Sequence, residues 1–298
     1  MGKGVVSAAS AMFLVGTLAG VSGLVKDYPV YGGQAVRYLL AAVVLLVMTR
    51  AMGLRFVRLT PREWGLLGAL SLTGLALFNV CVTESAGAAG PALVGTVLGA
   101  VPLALALAGG RPAPRLLAGA GVVVAGATLA TGLGSGNLHG LLWALGAFAG
   151  EIAFSLLALP LLPKLGAVRV SAYSTALAVP LLTVIGVVRE GTDMLRVPTV
   201  AEAAGFAYLA FVVTVVAFFL WYTALPQLGP GRAGLFAGLI PVGAIATGAV
   251  LGIATPSGYD LLGAGLVVCG ILVGLTARRP APPAPGPVPV PDLAAERT

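Results

Sequence analysis

Glu151 lies inside an apolar run, Leu141–Leu162, that holds no other charge. If this run is a helix entering a membrane near Gly140, a rise of about 1.5 Å per residue sets Glu151 about 16 Å down, close to the bilayer centre. An ionisable group at that depth costs about 2.5–3.5 kcal/mol on insertion scales, which makes it a candidate for function. Its carboxyl could exchange a proton or contact a substrate amine; the other reading is a protonated Glu hydrogen-bonded between helices that pack through Gly146 and Gly150. Arg37 sits about 9 Å below the same surface by the same arithmetic, and Asp27 and Glu84 fall near that surface at the ends of neighbouring apolar runs. A shallow ion pair among these three is expected, either as a gate that breaks and reforms or as a static strut or an arginine reaching for water. Asn79, Thr83, Ser155 and Thr17 could add hydrogen bonds at comparable depths, or simply pair between packed helices.

Phe211, Val215, Phe218 and Tyr222 recur at helical spacing with Trp221 beside them. Such a stripe either lines an apolar pocket or faces lipid. Pro102 and Pro241 each remove a backbone donor in mid-run, and Gly99 and Gly238 stand one turn before them. Each pair is a hinge or a fixed kink. His139 is the single histidine and reads as a solvated loop residue, and no HExxH, GxSxG or GxxxxGK[ST] occurs, so the usual hydrolytic, metal and nucleotide signatures are missing.

The elements that hold these residues are set by composition. Of 298 residues 58% are apolar and 9% charged, with a mean hydropathy of +1.03, whereas soluble chains carry about 25% charged residues. A net charge of +7 does not point to nucleic acid, because the basic residues sit between long uncharged stretches. Cys81 and Cys269 both fall in apolar runs and read as packing residues rather than as a disulfide or metal framework. Ten runs approach the length of about 20 residues that spans hydrocarbon: Val5–Val25, Tyr31–Met48, Trp64–Thr83, Ala88–Gly110, Leu116–Gly134, Leu141–Leu162, Val170–Val188, Ala203–Leu225, Ala233–Ile253 and Leu261–Ala277. The first is too long, and too sparsely flanked by basic residues, for a signal peptide. If the runs alternate in direction, Lys3, Arg50, Arg55, Arg58, Arg62, Arg111, Arg115, Lys164, Arg169, Arg232, Arg278, Arg279 and Arg297 fall on one side. Only Lys26, Arg189 and Arg196 fall on the other. This asymmetry predicts that both termini are cytoplasmic.

The chain repeats itself. Gly95, Gly99 and Pro102 form a GxxxGxxP pattern that returns 139 residues later at Gly234, Gly238 and Pro241, and GAGVVVAG at Gly119–Gly126 returns as GAGLVVCG at Gly263–Gly270. Two motifs in one order predict a duplicated five-helix unit. Because five is odd, the second copy enters the membrane from the opposite side, an arrangement that places a substrate site near the midplane between the halves.

Thr214–Leu225 with its Trp221-Tyr222 pair, followed by Leu228-Gly229, Arg232-Ala233 and Pro241, resembles the fourth-to-fifth helix region of an EamA-like repeat of the drug/metabolite transporter superfamily. Arg37-Tyr-Leu-Leu-Ala41 is similar to the RxxxA pattern of that family's second helix. The resemblance covers about residues 5–277. It departs at Gly109-Gly110-Arg111 and Ile253-Ala254-Thr255, where the family usually has a Glu.

The fold class expected is therefore all-α integral membrane, ten helices as two inverted repeats, 1–137 and 138–279, with a disordered Pro/Ala-rich tail over 280–298. The resemblance implies a secondary transporter in the cytoplasmic membrane, exporting small organic metabolites such as amino acids. Efflux of drugs or hydrophobic cations is the alternative, ahead of a non-transporting scaffold or a membrane-embedded enzyme. Glu151, Asn79, Ser155, Phe218, Trp221, Tyr222 and Thr17 are the expected substrate-binding residues, Arg37, Asp27 and Glu84 the gate, and Pro102, Pro241, Gly99 and Gly238 the hinges. A small-molecule substrate, the bilayer and protons as coupling ion are the expected partners, with a homodimer as an option. Neither cofactor, metal nor nucleic acid is expected.

Overall fold

The computed structural model describes residues 2–108, 112–132, 137–252 and 255–276. The tail 280–298 and the departures at Gly109-Gly110-Arg111 and Ile253-Ala254 lie outside these. Ten helical spans account for most of the described chain: α1 Gly2–Leu24, α2 Val30–Ala51, α3 Pro61–Ala89, α4 Pro91–Ala108, α5 Pro114–Thr131, α6 Leu138–Leu156, α7 Leu162–Met194, α8 Val200–Leu228, α9 Pro230–Val250 and α10 Gly258–Leu275. All ten are long and apolar enough to cross a bilayer. Val6, Leu39, Val43, Val47, Leu142, Val184, Val188, Leu262 and Leu272 turn outward, as apolar side chains do when lipid is the solvent. Cys269 is among the outward-facing residues while Cys81 is buried, so only the latter packs inside.

Local chemistry starts and stops the spans. Thr60 with Glu63, Thr199 with Glu202 and Ser257 with Asp260 form capping boxes at the starts of α3, α8 and α10, and proline occupies the first turn of α3, α4, α5 and α9. Gly90 and Gly229 take φ of 80° and 76° just before Pro91 and Pro230. A left-handed glycine followed by proline ends α3 and α8 and reverses the chain at once, which is why α3 runs on to Ala89 rather than stopping at Thr83.

Several of these features recur at one spacing. The capping box at Thr60, the π-helical segment Leu70–Leu77, the Gly90-Pro91 turn and the Pro102 break return as Thr199, Leu209–Val216, Gly229-Pro230 and Pro241, each 139 residues on. Neighbour relations follow the same rule. α1 packs on α8 and α9, as α6 packs on α3 and α4; α2 packs on α8, as α7 packs on α3; α2 with α7, α4 with α9 and α5 with α10 pair with their own counterparts. In the last pair Gly119 faces Gly270 and Gly126 faces Gly263, so the two equivalent helices run antiparallel. In α2 and α7, likewise, Gly32 meets Gly186 near one end while Ala41 and Leu45 cluster with Ala172 further along.

Both proline-bearing spans are interrupted. α4 divides at Ala100, between Gly99 and Val101, and α9 narrows to a 3-10 turn over Leu235–Gly238 before regular helix resumes at Leu239. The missing N–H of Pro102 and Pro241 leaves the preceding turn without its usual acceptor pairing. The glycines differ. A Cβ at Gly238 would come 2.3 Å from Val123, whereas one at Gly99 would sit at an ordinary 3.4 Å from Ala127.

Candidate functional site

A cavity of about 500 Å³ lies among α1, α2, α3, α4, α6, α8 and α9, thus between the two halves of the chain. Met12, Leu75, Phe78, Phe154, Phe218 and Trp221 give it a largely apolar wall. Arg37 and Glu151 are its charged residues among those described, and Gln34, Tyr38, Asn79 and Thr83 add polar groups. A smaller void of about 160 Å³ shares Leu18, Ser22, Val30, Gln34 and Arg37 with it and reaches Lys26, Tyr28 and Pro29 at the α1–α2 link. At the opposite end of the bundle the space is filled by Leu67, Leu70, Leu105, Leu225, Leu228 and Leu235, all buried.

Each polar group is placed by a specific piece of backbone. α6 meets α3 through glycine: a Cβ at Gly150 would lie 2.8 Å from the Thr73 carbonyl oxygen, and one at Gly146 2.7 Å from Cys81 Sγ. That close face fixes the roll of α6 and leaves the adjoining Glu151 on the cavity wall. Its carboxyl makes no hydrogen bond or ion pair among the described residues. Asn79 donates through Nδ2 to the Leu75 carbonyl at 2.7 Å and to the Tyr38 hydroxyl at 3.2 Å, which joins α3 to α2 across the wall.

The π-helical segment of α8 supports Arg37. There Thr214 Oγ1 donates to the carbonyl of Leu209, five residues back, at 3.0 Å, and accepts from Arg37 Nε at 2.9 Å. Arg37 Nη1 donates weakly to Gln34 Oε1 at 3.4 Å, one turn earlier on α2, and the guanidinium carbon lies 5.4 Å from the Tyr38 ring centre. The same segment breaks the expected aromatic stripe. Its wider turns rotate Phe211 outward to 54% exposure while Phe218 and Trp221 stay on the cavity.

Several expectations are corrected. The ion pair among Arg37, Asp27 and Glu84 is not formed: Glu84 pairs with Arg189, near the end of the regular helix of α7, and accepts from the Tyr31 hydroxyl at 2.8 Å, while Arg37 turns to Thr214 of α8. Asp27 contributes its backbone carbonyl, at 3.1 Å, to Arg196. Arg196 pairs with Glu202, whose carboxylate pushes the arginine pKa further up. Tyr222 lies behind the wall, donating to the Phe154 carbonyl at 3.4 Å. Ser155 is buried with its hydroxyl unpaired and Thr17 donates to the Leu14 carbonyl at 2.6 Å, so neither lines the cavity. His139 belongs to the first turn of α6, where its Nε2 accepts from Trp143 Nε1 at 3.2 Å.

Sequence reasoning did not single out Gln34, Tyr38 or the contact from Thr214 to Arg37. It also missed Glu190, whose two carboxylate oxygens accept from the backbone N–H groups of Tyr31 and Gly32 at 3.0 and 2.9 Å and so cap α2. These contacts join residues 158–177 positions apart, and no local pattern announces them.

Residues 136–276 match the model of the EamA-like transporter family. The resemblance to EamA-like transporters holds. Over 294 residues, 92% of this chain and 87% of its own, the uncharacterized transporter YetK of Bacillus subtilis (strain 168) is 28% identical. A solved crystal structure aligns with a TM-score of 0.77 over 93% of this chain and 98% of that one at 21% identity, which shows that the fold is shared. The EamA-like match spans α6 to α10, whereas the alignment with YetK covers 92% of the chain and so takes in helices of both halves.

Proposed function

We propose that the protein is a secondary transporter that exports small organic metabolites such as amino acids across the cytoplasmic membrane. It is read as two inverted five-helix repeats, residues 1–137 and 138–279, with both termini cytoplasmic. The match to EamA-like transporters and the likeness to a relative called a transporter support the general activity. The recurrence of backbone features at 139 residues and the antiparallel packing of α5 on α10 support the inverted repeat.

One observation carries the reading. A cavity large enough for a metabolite, built from both halves, holds one acidic and one basic side chain that have no charged partner among the described residues. Such groups are costly in an apolar interior unless water or a solute meets them, and a mainly apolar pocket with a few convergent polar groups is the usual form of a small-molecule site. The cavity lies toward the α1–α2 link and is closed at the other end by leucines, which under the charge asymmetry is an outward-facing state. Pro102 and Pro241, one in each half, are the proposed hinges for its reversal, and protons the proposed coupling ion through Glu151.

Efflux of hydrophobic cations is a second reading, favoured by Phe78, Phe154, Phe218 and Trp221 around Glu151. Arg37 in the same cavity counts against it. Flux by purified protein in liposomes, against amino acids, free bases and cationic drugs, separates the two: amino acids move fastest under the first reading, and drugs under the second.

A further inference from the structure

We propose that the Nη edge of Arg37, aimed by Thr214, is a carboxylate-binding subsite of the cavity, so that the transported solute bears a carboxylate. This rests on the transport reading above and specifies its substrate. Arg37 is only 5% exposed, yet none of the ion pairs among the described residues includes it. Glu84, Glu202 and Glu190, toward the same end of the bundle, are engaged elsewhere, by Arg189, by Arg196 and by the backbone N–H groups of Tyr31 and Gly32, and Glu151 in the same cavity forms no ion pair with Arg37. Arg37 does not reach for lipid headgroups either. Its Nε is turned to Thr214 at 2.9 Å, on α8, the helix packed against its own.

The manner of that bond gives the subsite its direction. With Nε held by a hydroxyl that is itself fixed to the Leu209 carbonyl at 3.0 Å, the guanidinium plane is set, and Nη1 has only a 3.4 Å contact with Gln34. Nη2 makes no hydrogen bond among the described residues. Two donors side by side on a fixed plane match the two oxygens of a carboxylate. A single cation in a largely apolar wall whose other charged residue among those described is the acidic Glu151 suits a monoanion better than a phosphate, which calls for more donors. Thr214 is a positioning residue here, acting on the solute only through Arg37.

The test compares flux of labelled phenylalanine, phenylalaninamide and phenethylamine into liposomes holding the purified full chain, at a pH where all three amines are protonated. The parent should carry phenylalanine about tenfold or more faster than either neutral-ended analogue at equal concentration. Arg37→Gln should bring that acid-to-amide ratio close to one, whatever its overall rate, and Arg37→Lys should restore part of it. Thr214→Val should raise KM for phenylalanine several-fold with Vmax little changed, and Thr214→Ser should return KM toward the parent value. An unaltered ratio in Arg37→Gln, or a parent that carries the amide as fast as the acid, would overturn the subsite. Should Arg37→Gln fail to fold, the parent ratio decides by itself. Flux of the amide and the amine without preference for the acid removes the subsite and leaves the transporter standing; no flux of any solute removes both.

Discussion

Gly126 and Gly263 stand face to face across α5 and α10, each so close that a Cβ on one would come within 2.7 or 2.6 Å of the other's carbonyl oxygen. Gly119 and Gly270 repeat the arrangement at 2.6 and 2.7 Å, with the partners exchanged between the two halves. Four glycines thus let two equivalent helices touch backbone to backbone, where dispersion rather than hydrophobicity holds helices together in lipid. Gly126→Ala and Gly270→Ala should each lower stability by about 1–3 kcal/mol, the usual range for overpacking. Gly121→Ala and Gly265→Ala, which meet nothing within 4 Å, should leave it unchanged or slightly raised. Thermal unfolding in detergent reads the difference, and equal melting temperatures for all four variants would contradict the packing.

The proposed orientation, with both termini cytoplasmic, rests on the distribution of Lys and Arg alone. In a background lacking Cys81 and Cys269, a cysteine placed at His139 should react with an impermeant thiol reagent on intact cells, and one at Arg58 only after permeabilisation. The reverse pattern would invert the assignment of sides.

Glu151 bears on the cavity with no partner for its carboxyl among the described residues. If it carries the coupling proton, Glu151→Gln should abolish flux driven by a pH gradient while solute exchange persists, and Glu151→Asp should keep some of both. If it only contacts substrate, the Gln variant should weaken binding and leave the pH profile in place. A Gln variant equal to the parent in rate, affinity and pH profile would remove Glu151 from the site.

The two helix breaks invite unequal responses. Gly238→Ala forces a Cβ to 2.3 Å from Val123 and should slow turnover or destabilise the protein, whereas Gly99→Ala meets Ala127 at 3.4 Å and should be tolerated. Pro102→Ala and Pro241→Ala restore a backbone donor and should reduce turnover with little change in substrate affinity if the breaks flex during transport. Parent rates for both proline variants would make them static kinks.

The spans were legible in the sequence because length and apolarity alone set them, and the 139-residue recurrence of Gly90-Pro91 and Pro102 as Gly229-Pro230 and Pro241 was legible because glycine and proline stand where backbone geometry demands them. The site was only half legible. Glu151 and Asn79 announce themselves as polar residues in apolar runs, and the structure lines the cavity with both. Phe211 was misplaced for a local reason: counting i, i+4 and i+7 assumes a regular helix, and α8 carries a π-helical segment over Leu209–Val216; Tyr222, in the regular helix beyond it, is instead drawn behind the wall to the Phe154 carbonyl. The partner of Glu84 was misjudged for a tertiary one, since Arg189 lies 105 positions away and only the packing of α7 brings it near.

Transport through the cavity is the central claim, and plugging that cavity tests it most directly. Ala86 lines its wall on α3, so Ala86→Trp should fill the space without touching Arg37 or Glu151 chemically. In matched proteoliposomes the parent should exchange amino acids well above protein-free vesicles, and Ala86→Trp, folded as judged by its melting temperature, should fall to the protein-free rate. Exchange by the parent no faster than protein-free vesicles, or exchange undiminished in Ala86→Trp, would contradict the account.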